Sequence, residues 1–242
     1  MTLWKKGNSS VLPGRLIARD RLLTLLDAST AAPLTLLLAP AGSGKSTLLS
    51  QWLARCDHRT TVYLPLSAAD SSPVRFFRNW FEALRKAVPE FDNFSYNQLV
   101  ADVALPAEAV ADSLLHSFEQ VSTPLIIVLD DFQHTRGTVS EAVFASLVDQ
   151  LPAHVRVLLS SRVQPDLPLA RLQLNDQLRV VDREDLDLSE AELRALVELT
   201  LQSDSWLAQL LAAHAALFVP PHAPKAAKVD PTLPLINAVN LD

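Results

Sequence analysis

The sequence predicts an α/β fold, a parallel sheet of five strands with helices packed around it. Two observations predict it. Five short stretches are continuously apolar instead of alternating, as in strands buried on both faces. Stretches with helical spacing lie between them, so helix and strand alternate along the chain. With 242 residues, 49% of them hydrophobic and 20% charged, the chain is long enough for one sizeable core.

The elements follow in order. Leu16–Leu26 reads as a short helix with Leu22, Leu23, Leu25 and Leu26 on its apolar side, and Ala31-Ala32-Pro33 breaks it. Leu34–Leu38 has the length and composition of a buried strand. A helix is expected from Lys45 to Arg55, with Leu48, Leu49, Trp52 and Leu53 on one face. Thr61–Ser67 is the second strand. Ser72 is a suitable N-cap and Pro73 suits a first helical turn, after which Phe77, Trp80, Phe81, Leu84 and Val88 keep helical spacing. Pro89–Leu105 is irregular. Pro106–Val121 is helical, with Val110, Leu114 and Phe118 on a stripe. "PLIIVLDDFQH" is an apolar strand ending in two aspartates, and Val139–Leu151 is a helix. "HVRVLLSSR" and Gln177–Asp182 complete the strands. Ser189 and Glu192 form a capping box at the head of one more helix. Trp206–Phe218 is a further apolar helix. Beyond it Pro220, Pro221, Pro224, Pro231 and Pro234 mark an extended arm or tail. The expected division is a lead segment and helix over 1–33, the sheet domain over 34–202, and an apolar helix with a proline-rich tail over 203–242.

Composition excludes several classes. The formal net charge is −6 and no basic block occurs, which argues against direct DNA binding. Cys56 is the one cysteine, so there is no disulfide framework or cysteine metal site. It reads as a packing residue. His58, His116, His154, His214 and His222 lack metal-ligand spacing. The N-terminus has no apolar signal segment, and no run approaches the ~18–20 residues of a membrane span. A cytoplasmic location is the expectation.

Ligands of parallel sheets bind beyond the carboxyl ends of the strands. Three loops there draw notice: Ala39–Lys45, Asp130–Gln133 and Ser160–Arg162. The chain has only five glycines, where average usage of ~7% would give about seventeen. Two of the five, Gly42 and Gly44, sit in the first of these loops, which points to a backbone need.

Ala39-Pro40-Ala41-Gly42-Ser43-Gly44-Lys45-Ser46 fits the phosphate-binding P-loop pattern, with alanine in place of its first glycine. Gly42 and Gly44 let backbone N–H groups of Ala41–Thr47 turn toward a phosphate. Lys45 reaches the β- and γ-phosphate oxygens, and Ser46 offers a hydroxyl to Mg²⁺. The helix that follows aims its positive end at the anion. Asp130 is placed as the carboxylate that holds Mg²⁺ through water. Asp131 is placed to polarise the attacking water, with Gln133 or His134 as lesser candidates for contact with water or phosphate. Arg162, ending the next strand, is positioned to sense the γ-phosphate from the side. Arg19 precedes the first strand, in a segment able to pack against base or phosphates. ATP or ADP with Mg²⁺ is the expected ligand.

With these pieces placed, residues 10–200 resemble the N-terminal ATPase domain of MalT-like regulators, the large LuxR-family activators of the STAND class. "LIARDRLLTLLD" resembles the family's leading Arg-x-x-Leu-Leu segment. "LLLAPAGSGKSTLLSQWL" resembles its P-loop, in which alanine is tolerated at the position of Ala39. "YLPLSAADSSPVRFFRNWFEAL" and "LIIVLDDFQH" resemble its Asp-rich turn with the Pro-x-Arg-Phe helix and its Asp-Asp-aromatic segment, with Gln133 where the family usually has histidine. "VRVLLSSRVQPDLPLARLQLNDQLRVVDREDLDLSEAEL" resembles the arginine-ended strand and the Pro-Leu-Ala-Arg-Leu turn after it.

The resemblance implies a P-loop NTPase sheet of STAND type. It implies a switch between ADP-bound and ATP-bound forms, driven by slow hydrolysis and acting through a protein partner or self-association. By position, Lys45, Ser46 and Asp130 bind Mg-ATP, Asp131 supports hydrolysis and Arg162 senses phosphate. The family's winged-helix, helical-repeat and helix-turn-helix regions have no counterpart in the 242 residues, so the expectation is a switch module without its own DNA-binding domain. Two other readings remain at this stage: a P-loop kinase acting on a small molecule, and a nucleotide-binding protein without catalysis.

Overall fold

A computed structural model describes residues 17–56, 60–89, 91 and 106–201. The chain divides into two compact units, Met1–Leu188 and Ser189–Asp242. The expected helix over Trp206–Phe218, the proline-rich tail and most of the irregular 89–105 stretch lie outside the described residues.

The first unit is built on five parallel strands: β1 (Leu34–Leu38), β2 (Thr60–Pro65), β3 (Leu125–Asp130), β4 (Val155–Ser161) and β5 (Leu178–Val181). Their spatial order is β2-β3-β4-β1-β5. The register is continuous, with Leu38 opposite Ser161, Leu129 opposite Leu159 and Pro65 opposite Asp130. The apolar runs are explained by this arrangement. Successive side chains of a strand point to opposite faces. Leu125, Ile127 and Leu129 of β3 enter one core, and Ile126 and Val128 enter another. Leu34 and Leu36 divide from Leu37 in the same way, as do Val157 and Leu159 from Leu158. Both faces are apolar because both are covered.

Helices α1 (Asp20–Ser29) and α2 (Lys45–Leu53) supply the smaller core through Leu22, Leu23, Leu26, Leu48, Leu49, Trp52 and Leu53. The other face is covered by α3 (Pro73–Ala87), α4 (Ala107–Glu119) and α5 (Val139–Leu147). In α3 the apolar positions Phe76, Phe77, Trp80, Phe81 and Leu84 are all buried. Trp80 lies among Phe76, Phe118 and Phe144, with ring centroids 5.8, 6.3 and 4.9 Å away. Two short helices, α6 (Leu169–Leu174) and α7 (Arg183–Leu186), flank β5. In the second unit α8 (Glu190–Leu201) begins at the expected capping box. Glu192 N–H donates to Ser189 Oγ at 3.3 Å, and Ser189 N–H donates to Glu192 Oε2 at 2.8 Å.

Three local expectations differ from the fold. The first helix starts at Asp20 rather than Leu16, because residues 17–19 are not helical and Ile17 O accepts from Gln51 Nε2 at 2.9 Å. Ser72 stands at the N-cap of α3 but its hydroxyl makes no capping bond. The helix after Val139 ends at Leu147, where Gln150 N–H turns back to Leu147 O.

The polar anchor of the α3 entrance is Asp70, 3% exposed, in the 3₁₀ turn Ala68–Ser71. Its Oδ2 accepts from Ser67 N–H at 2.9 Å and Ser67 Oγ at 2.7 Å. Its Oδ1 accepts from Arg75 Nε at 3.2 Å and Asn79 Nδ2 at 3.0 Å. Burial alone would push this carboxyl up, but the donors of Ser67 and Arg75 outweigh it and hold the pKa below its ordinary value. A depressed folded-state pKa stabilises the fold above the ordinary carboxylate value of about 3.9, and this is lost as pH falls through the folded value. Asp70→Asn is therefore expected to lower unfolding free energy by about 1.5–3 kcal/mol at neutral pH. The gap from wild type should close in acid, below about pH 4. Denaturant melts across pH 2–7 check this; a gap independent of pH would refute the charge's role.

Candidate functional site

The three suspicious loops leave the carboxyl ends of three adjacent strands. Because β4 lies between β1 and β3, Arg162 stands between the P-loop and the paired aspartates. Ala39 N–H donates to Ser161 O at 3.2 Å, which ties the start of the P-loop to β4.

In the P-loop, Gly42 and Gly44 take positive φ values of 82° and 84°. These left-handed positions are where a side chain would be strained. Ala39 has no such conformation, since the positive-φ non-glycine residues among those described are Asp131 and Asp176. Alanine in place of glycine therefore costs the loop nothing in backbone geometry. Gly44 is the N-cap of α2, and Ser43 Oγ donates to Pro40 O at 2.8 Å. Ala41 and Ser46 are exposed, and Thr47 is half-buried in the first turn of α2.

Lys45 is 6% exposed, and its Nζ donates to Ala39 O at 2.6 Å and Pro40 O at 2.8 Å. Burial lowers its pKa; the charges of Asp131 and Asp130 oppose that shift and Arg162 adds to it. These four charged groups thus share one electrostatic neighbourhood.

Asp130 is 3% exposed at the end of β3. Its Oδ1 accepts from Asp131 N–H at 3.0 Å, and its Oδ2 accepts from the Tyr63 hydroxyl at 3.2 Å. Burial first, then the Asp130 charge and this hydrogen bond, push the Tyr63 phenol far up. Tyr63 therefore remains a neutral donor. Sequence reasoning missed it. The available signal was its place between Val62 and Leu64, which belong to the opposite core.

Asp131 adopts a left-handed conformation, φ 59° and ψ 44°. Its Oδ1 accepts from Gln133 Nε2 at 2.7 Å and pairs with Arg162 Nε at 3.3 Å. Gln133 Oε1 in turn accepts Arg162 N–H at 3.1 Å. His134 contributes its N–H to Asp131 O at 3.2 Å.

Arg19, on the lead segment, bonds to main-chain carbonyls. Its guanidinium donates to Leu186 O at 2.8 Å and Asp187 O at 3.0 Å, at the end of α7. Those bonds give it a structural task, joining the lead segment to the chain beyond β5.

The site fits a magnesium nucleotide by the chemistry of its donors. The Asp130 carboxylate and Ser46 hydroxyl are hard oxygen ligands, the kind Mg²⁺ takes sparingly, while keeping waters and phosphate oxygens. Among the described residues no cluster of three or more His, Cys, Asp or Glu forms a metal cage. No helix among them is long and apolar enough to cross a membrane.

Comparison with known proteins agrees with the fold and the motifs. Serine/threonine-protein kinase PknK of Mycobacterium tuberculosis is 28% identical over 222 residues, covering 85% of this chain and 20% of that one. The HTH-type transcriptional regulator MalT of Yersinia pestis is 29% identical over 192 residues, covering 77% of this chain and 20% of that one. The chain thus spans about a fifth of the length of these curated relatives. A Walker-type ATPase of Pyrococcus abyssi shares the fold with a TM-score of 0.51 at 16% identity, over 84% of this chain and 63% of that one. The resemblance to MalT-like regulators is borne out. The family described as AAA ATPase domain matches residues 11–160. This chain belongs to the AAA ATPase domain family.

Proposed function

We propose that this chain is an ATP-binding regulatory module that hydrolyses ATP slowly in the cytoplasm and signals its nucleotide state through protein contacts. The observation that carries the reading is the insertion of β4 between β1 and β3, which sets Arg162 within 3.3 Å of Asp131 beside the P-loop. A cation in that place can respond to a third phosphate.

The residues divide the work. Backbone N–H groups of Ala41–Thr47 cradle the phosphates, with Gly42, Ser43 and Gly44 shaping the loop. Lys45 exchanges its two carbonyl partners for phosphate oxygens. Ser46, and Asp130 through water, would hold Mg²⁺, which when bound would supply charge neutralisation for the phosphates. Tyr63 keeps the Asp130 carboxylate oriented. Asp131 polarises the attacking water, and Arg162 reads the γ-phosphate. One short carboxylate as water positioner and one lateral cation make slow turnover the expectation. Lys45, Asp131 and Arg162 are the catalytic group in this reading, and residues 34–202 carry it.

Purified chain is tested for ATP and ADP affinity, phosphate release and oligomeric state with each nucleotide. Asp131→Asn is expected to keep ATP affinity within about threefold while phosphate release falls on the order of 100-fold. Rapid transfer of phosphate to an added metabolite would favour a kinase instead. Unchanged release in Asp131→Asn would remove that residue from the chemistry.

A further inference from the structure

We propose that Gln133 is a positioning residue that holds the water-polarising carboxylate and the phosphate-sensing arginine as one unit; the inference rests on the ATPase reading above. Its amide uses both ends. Nε2 donates to Asp131 Oδ1 at 2.7 Å, and Oε1 accepts Arg162 N–H at 3.1 Å. Arg162 Nε closes the triangle on the same Asp131 oxygen at 3.3 Å.

The placement gives the amide its purpose. The β3–β4 ladder ends at Leu129 and Leu159, so main-chain pairing no longer ties Asp131 to Arg162. One primary amide bridges the gap from the side. A left-handed residue is commonest as glycine, and aspartate is among the few others that adopt it as single residues. Asp131 is such a residue at φ 59°, and Gln133 fixes its carboxylate. Gln133 is itself held, because it sits on the 3₁₀ turn Phe132–Thr135, whose Phe132 is fully buried in the larger core.

Two consequences follow for the chemistry. With both donors on Oδ1, the other Asp131 oxygen is left to orient water; among the described residues no donor is recorded on it. With Nε on Asp131, Arg162 still has terminal N–H donors to offer a phosphate, since a guanidinium carries five N–H donors in a fixed fork. Both polar ends of Gln133 are spent on Asp131 and Arg162. It acts through those two residues.

The test uses the full chain and the variants Gln133→Met, which keeps length but loses both polar ends, Gln133→Ala, Arg162→Ala and Gln133→Met/Arg162→Ala. Phosphate release from Mg-ATP is followed for kcat and KM, with thermal midpoints as the folding control. Gln133→Met is expected to lower kcat about 10–100-fold, the range for partners that orient a site's ligands, with KM changed less than about twofold. Its thermal midpoint should stay near wild type. In the double variant the loss from Arg162→Ala should be smaller than in wild type, because coupled residues do not add. If wild type shows Lys45-dependent phosphate release and Gln133→Met matches its kcat, or the two losses simply add, Gln133 is not the coupler, while the ATPase reading stands. If wild type shows no Lys45-dependent release, both readings fall together.

Discussion

Lys45→Met is expected to reduce phosphate release from ATP by 100-fold or more, and to leave the nucleotide-free protein no less stable. The first part follows from position. Lys45 is the one ammonium of the P-loop, and removing a single preorganised donor to developing charge costs about 10²–10³ in rate. The second part follows from burial. The Lys45 pKa is lowered chiefly by desolvation, so the fold disfavours its protonated form. A depressed lysine pKa is a cost at every pH below the folded value, and it fades as pH rises past the unfolded value. Replacing the ammonium with a neutral side chain of similar length removes that cost. It also removes the bonds to Ala39 O and Pro40 O, which offsets part of the gain. Thermal melts with and without ATP separate the effects. The variant should melt at or slightly above the wild-type midpoint without nucleotide, and ATP should no longer raise it. A variant that melts well below wild type without nucleotide would show that Lys45 holds the loop rather than the ligand.

Trp80→Ala is expected to lower unfolding free energy by about 3–5 kcal/mol, the range for deleting a large buried aromatic. Trp80 is fully buried among Phe76, Phe118 and Phe144, which come from α3, α4 and α5. One ring thus joins all three helices of that face. For a unit of this size the thermal midpoint should drop on the order of 10 °C. Trp80→Phe should lose less than half as much. Trp80 Nε1 is buried without a hydrogen-bond partner among the described residues, so phenylalanine removes an unsatisfied donor while keeping most ring contacts. Equal losses in the two variants would mean that the indole N–H has a partner after all. A midpoint within about 2 °C of wild type for Trp80→Ala would remove this cluster from the stability of the fold.

Much of the site was legible because its signals are local. Gly42 and Gly44 are written into a strand–loop–helix context, and their positive φ is the backbone need that a glycine pair in a glycine-poor chain pointed to. Asp130 and Asp131 end an apolar run, and the strand does end there. Other features carry no local signal. Helices α6 and α7 have six and four residues, too short to nucleate alone, and exist because they are held against β5 and the lead segment. Tyr63 and Asp130 are 67 positions apart, and Arg19 meets Leu186 across 167.

By itself, then, the amino-acid sequence determined which segments become strands, where each loop must turn, and which side chains offer phosphate chemistry. Periodicity and turn residues are properties of neighbours along the chain, so they survive without a fold. Only the tertiary structure decided that β4 lies between β1 and β3, that Arg162 pairs with Asp131 through Gln133, and that Arg19 is tied to the end of α7. Strand order is chosen by long-range pairing and by which faces the helices cover. No local pattern in the sequence encodes that choice.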